Sequence, residues 1–213
     1  MQNSVLKRDI IDQVLPYLDT QNIIVFHGAR QVGKTYLLYF LENYLREKAE
    51  KTYYFDLEDS RYLDILNEGI DYFLDFLKGE GLNLEELKKS GKKLYVLIDE
   101  IQYLEAPSPF LKLLADHHRY LQLIVSGSSS FNIKTKFSDS LTGRTVNFEI
   151  FPLNFNEFLR FKNKPFNLTE KLDEFHLSEV KKLYSEYLNF GAYPKIILEN
   201  DLSKKEKYLM QII

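Results

Sequence analysis

Short apolar runs alternate with longer stretches in which apolar residues return every three or four positions. NIIVFHG (22–28), KTYYFDLED (51–59), KKLYVLIDE (92–100) and LQLIVSG (121–127) read as strands, and TVNFEIF (145–151) reads as a fifth. Between the first two lies KTYLLYFLENYLREKAE (34–50), with Leu37, Leu38, Leu41 and Leu45 on one helical face. Residues 61–90 read as helix broken at Gly69, Gly79 and Gly81. PFLKLLADHHRY (109–120) reads as a helix opened by Ser108 as N-cap and Pro109 in the first turn.

Strands alternating with helices predict an α/β fold: a mainly parallel five-stranded sheet with helices on both faces. The pattern changes beyond Pro152, where helical spacing takes over and KIIL (195–198) is the one strand candidate. Residues 1–157 therefore form the expected core and residues 158–213 a smaller helical piece. The last ten residues, KKEKYLMQII, are still in helical rhythm, which predicts a chain cut from something longer.

Composition narrows the classes. The 213 residues suit one sizeable α/β domain with a small appendage, and 16 Phe and 15 Tyr supply a real core. A net charge of −3 gives no overall pull toward nucleic acid. The absence of cysteine excludes disulfides, thiolate metal sites and thiol catalysis. The first residues lack the apolar block of a signal peptide, and the longest clean apolar run, LYVLI, has five residues where a span needs roughly 20. A cytoplasmic protein with no membrane partner is expected.

Four motifs carry chemistry. Gly28, Gly33, Lys34 and Thr35 satisfy the spacing of a phosphate-binding loop, after a strand and opening a helix. Glycines let successive N–H groups converge on a phosphate, Lys34 adds a point charge, and the Thr35 hydroxyl suits Mg²⁺. Asp99 and Glu100 end the third strand. A solvated turn is the ordinary reading of such a pair, but beside a phosphate loop Asp99 suits Mg²⁺ and Glu100 suits a general base for water. The fourth strand ends in small hydroxyls; Ser128 is the first candidate for a γ-phosphate contact and Ser126 the second. Arg144, before the fifth strand, is a candidate arginine finger, in its own subunit or a neighbour's.

Other residues carry less. His117 and His118 have no ligand partner one turn away, His27 reads as structural, and Lys88, Lys89, Lys92 and Lys93 read as a solvated turn or a nucleic-acid patch. A small-molecule kinase shares the phosphate loop but commonly closes an arginine-rich lid, and no arginine follows residue 160.

GARQVGKT, LIDEIQ, SGSSS, SLTGRT, FPLNFNEF and GAYP occur in that order. Together they resemble a large family of prokaryotic AAA-type P-loop ATPases with a C-terminal domain, and are similar to the STAND-type signalling ATPases of archaea. The resemblance implies a three-layer α/β/α P-loop NTPase fold, with an extra strand between the phosphate-loop strand and the Asp99 strand, followed by a helical lid. It implies ATP and Mg²⁺, with Gly28, Ala29, Arg30, Gln31, Val32, Gly33, Lys34, Thr35 and Tyr36 around the nucleotide. Thr35 and Asp99 would serve the metal, and Lys34, Glu100, Ser128 and Arg144 catalysis. GAYP departs from the family's G-G-x-P element at Ala192, which puts a nucleotide contact there in question. A homo-oligomer, and a protein or DNA partner reached through a further C-terminal domain, are implied as partners. A slow nucleotide-dependent signalling switch is the alternative function.

Overall fold

The structure is a computed structural model and describes residues 6–128 and 141–212. Five parallel strands form one sheet: β1 (Ile23–Gly28), β2 (Lys51–Asp56), β3 (Leu94–Asp99), β4 (Leu121–Ser128) and β5 (Thr145–Ile150). Their spatial order is β2-β3-β4-β1-β5. The central strands β1 and β3 are buried throughout, and β4 all but its last residue, because helices cover both faces; the edge strands β2 and β5 are only partly buried.

Alternate strand residues feed two separate cores. Val25, Phe55, Val96, Ile98 and Val125 pack on one face under α3 (Ser60–Asn67), α4 (Ile70–Gly79), α5 (Leu84–Ser90) and α6 (Pro107–His117). Ile24, Phe26, Leu97, Ile124 and Phe148 pack on the other under α1 (Ile10–Val14) and α2 (Lys34–Glu47). This is the expected three-layer sandwich. The extra strand needs one refinement. β2 follows β1 in sequence but lies at the sheet edge, and the strand standing between the phosphate-loop strand and the Asp99 strand is β4.

The helices after β5 are α7 (Phe155–Phe161), α8 (Glu174–Phe190), α9 (Pro194–Leu198) and α10 (Leu202–Ile212). A third apolar cluster, which includes Leu153, Phe158, Phe161, Ala192 and Ile197, packs α7, α8 and α9 together. Two local expectations change. KIIL is helix, because Pro194 at its first turn fixes a helical φ and Ile197 turns into that cluster. α6 starts at Pro107 behind Ala106, so Ser108 lies inside the helix and is not its N-cap. Among the described residues, no helix is long and apolar enough to cross a membrane.

Candidate nucleotide site

The carboxyl ends of β1, β3 and β4 bring the motif residues to one edge of the sheet. β1 ends at Gly28 and α2 begins at Lys34, so residues 29–33 form the loop between them. A Cβ on Gly28 would stand 2.3 Å from the carbonyl oxygen of Ile150 on β5, so only glycine fits. Gly33 has space around it but a φ of 100°, which L side chains avoid. Gln31 also has a positive φ, and such alternations curl a backbone so that its N–H groups converge.

Lys34 is 5% exposed, and its ammonium is bonded to the loop's own carbonyls, 3.1 Å from Gly28 and 2.8 Å from Ala29. Burial pushes its pKa down, while the charges of Glu100 and Asp99 pull it back up. The loop is thus wrapped around its own cation. Thr35 follows in the first turn of α2, half-buried.

Asp99 is 3% exposed. A carboxylate taken out of water costs several kcal/mol unless donors replace the water. Three do: the Ser126 hydroxyl and the Glu100 N–H (3.1 Å) reach Oδ1, and the Tyr54 hydroxyl reaches Oδ2 at 3.0 Å. Burial, then the Asp99 charge, push the Tyr54 phenol far up and keep it a donor. Strand register explains these partners. Ile98 pairs with Val125, so Ser126 comes opposite Asp99; Asp56 pairs with Asp99, so Tyr54 is its diagonal neighbour on the same face.

Glu100 stands in the left-handed region, φ 55° and ψ 47°, which costs a non-glycine residue about 1–3 kcal/mol. This backbone turns its carboxylate toward Gln102, whose amide donates to Oε2. The same amide's oxygen accepts the Ser128 N–H at 3.2 Å. Ser128 closes β4 beside Gly28.

No group of three or more metal-ligating side chains occurs among the described residues. A lone buried carboxylate and a threonine hydroxyl do fit Mg²⁺, which takes one or two carboxylates and completes its shell with nucleotide phosphates and water.

Arg144 is not part of this constellation. Its guanidinium forks onto Asp116 of α6 at 2.7 and 3.1 Å, and its carbonyl accepts the Ile23 N–H. It therefore lies at the opposite end of the sheet from Gly28, six strand residues away, or about 20 Å at roughly 3.3 Å per residue. Within one subunit it does not meet the phosphate loop. Ala192 of GAYP spends its carbonyl on the Leu153 N–H at 2.8 Å, while Pro194 comes up against the loop. Tyr54, Gln102 and Arg8 are members of the site that the motifs did not name. Gln102 stands inside LIDEIQ; the other two have no local signature.

A glycine-bracketed loop leading into a helix, with paired carboxylates two strands away across the sheet, defines a P-loop nucleotide-binding core. The chain belongs to the AAA family: the model of an AAA domain matches residues 20–159. It is 32% identical over 98% of its length to an uncharacterized protein of Methanocaldococcus jannaschii, covering 43% of that protein. It is 28% identical over 96% of its length to one of Haemophilus influenzae, covering 48% of it. The chain thus spans less than half of these relatives. Among solved structures, C. elegans PCH-2 shares the fold, with a TM-score of 0.61 at 11% identity, over 98% of this chain and 69% of that one.

Proposed function

We propose that the chain binds ATP with Mg²⁺ and hydrolyses it, and that turnover moves the helical lid formed by residues 158–213 against the core. The observation that carries this is Glu100 beside Asp99, at the edge of the sheet where the phosphate loop opens. The residues at positions 28–36 hold the nucleotide, with loop amides and Lys34 on its phosphates. Thr35 and Asp99 hold the metal, which supplies charge neutralisation at the β- and γ-phosphates when bound. Glu100 takes a proton from water, held in place by Gln102, and Ser128 meets the γ-phosphate. Arg144 acts in trans, completing a neighbouring subunit's site in a homo-oligomer, because its distance from its own loop leaves no role in cis.

A second reading is a slow switch that acts through a protein or DNA partner. Lys34 bonded to its own loop favours it, since those bonds must be released before chemistry. Multiple-turnover phosphate release separates the readings, and two variants test the residues that both share. Lys34→Ala should abolish binding of a fluorescent ATP analogue. Glu100→Gln should bind ATP normally and retain it intact in a filter assay. ATP lost from Glu100→Gln at the wild-type rate would remove Glu100 from the mechanism.

A further inference from the structure

Arg8 lies before α1, far in sequence from every motif, yet it is 5% exposed and its three donor nitrogens are all used. Nε bonds Oε1 of Glu157 at 2.8 Å, one terminal nitrogen bonds the carbonyl of Val32 at 3.1 Å, and the other bonds the carbonyl of Phe151 at 3.0 Å. Glu157 is 3% exposed and belongs to α7, where it closes a capping box with Asn154. The same Glu157 oxygen accepts the Asp9 N–H at 2.8 Å. One guanidinium therefore joins the phosphate loop, the segment leaving β5 and the first helix after it.

The Val32 bond has a geometric consequence. A trans peptide is planar, with its carbonyl and N–H on opposite sides. Holding the Val32 carbonyl toward Arg8 turns the Gly33 N–H the other way. Gly33 has the conformational freedom to present either face, so the loop alone does not fix this choice. Arg8 also stands 3.6 Å from where a Gly33 Cβ would be, at the same distance as Pro194 of the lid. Tyr36, one turn into α2, accepts the Leu6 N–H, so the stretch before α1 is fastened to the loop's helix at a second point.

We propose that Arg8 is a positioning residue for the phosphate loop: through Val32 it turns the Gly33 amide into the phosphate cradle, and through Glu157 it transmits the loop's state to α7. This rests on the nucleotide-binding reading above. A planar fork is needed, because the three acceptors lie on three different segments. A lysine in its place keeps a charge near Glu157 but has no fork to span Val32 and Phe151.

The test uses a non-hydrolysable ATP analogue with Mg²⁺, titrated calorimetrically below the unfolding onset of each protein. Arg8→Lys should weaken the analogue by about tenfold or more, the loss of roughly one charge-assisted hydrogen bond. Glu157→Gln, whose amide oxygen can still accept from Arg8, should keep affinity within a few-fold. Amide exchange of α7 should slow on analogue binding in the wild type and stay unchanged in both variants. An Arg8→Lys protein that melts earlier yet binds the analogue like the wild type would show that Arg8 only holds the fold, and would overturn the proposal. So would unfolding of both variants, or wild-type α7 exchange that ignores the analogue. A wild-type chain that takes no analogue refutes the nucleotide-binding reading itself, and this inference with it.

Discussion

Tyr54 and Tyr53 are neighbours on β2 and both donate to carboxylates, but the carboxylates differ. Tyr54 reaches the buried Asp99, while Tyr53 reaches Glu80 at the surface. Removing a donor from a buried charge costs more than removing one that water can replace. Tyr54→Phe should lower the unfolding free energy by about 1.5–3 kcal/mol, and Tyr53→Phe by under about 1. Urea denaturation of the two variants measures the contrast, and equal losses would mean that Asp99 does not depend on the phenol. Single residues were also where the sequence was most and least informative. Lys34, Thr35, Asp99 and Glu100 announce themselves by spacing. Tyr54 and Arg8 do not, and the bond of Ser126, read as the second γ-phosphate candidate, to Asp99 does not either, because these partners lie 45, 149 and 27 residues away and meet only through strand register or tertiary packing.

Among the elements, α7 is opened by a capping box whose Glu157 also holds Arg8. The Asn154 side chain accepts the Glu157 N–H at 2.9 Å, and the Glu157 carboxylate accepts the Asn154 N–H at 2.9 Å. Asn154→Ala should cost about 1 kcal/mol, the usual value of a lost N-cap, read as a lower unfolding midpoint. A midpoint equal to the wild type would show that Arg8 and the apolar cluster fix α7 without its cap. All five strands and the helix after the phosphate loop were legible because each carries a strong hydrophobic period. KIIL was not: three consecutive apolar residues suit a strand or a buried helix equally, and the deciding factors are Pro194 and the cluster it turns into. The strand order was not legible either. It follows from which helix covers which face, and neighbouring motifs in sequence say nothing of it.

For the whole molecule, the separation of Arg144 from the phosphate loop matters most. A parallel sheet puts all strand beginnings at one end and all strand ends at the other. Arg144 immediately precedes β5 and Gly28 ends β1, so one subunit keeps them apart. An assembly that sets the beginning of one subunit's β5 against the next subunit's loop would unite them. The proposed role in trans then makes a definite prediction. Arg144→Ala and Glu100→Gln proteins should each bind ATP and turn it over poorly. Mixed together, they should regain turnover, because the intact Arg144 of one faces the intact Glu100 of the other. The ion pair to Asp116 is open to solvent, and such pairs are screened and weak, so Arg144→Ala should fold normally. A mixture no more active than its parts would assign Arg144 to the Asp116 pair alone.

In the proposed mechanism the Asp99–Glu100 edge of the sheet uses water to cleave ATP. Steady-state phosphate release, measured with Mg²⁺ on the wild type and on Glu100→Gln at saturating ATP, tests it most directly. Multiple turnovers by the wild type are expected, with a loss of at least about a hundredfold in Glu100→Gln and ATP affinity retained. Equal release from both proteins, or no turnover by the wild type at any protein concentration, would contradict it.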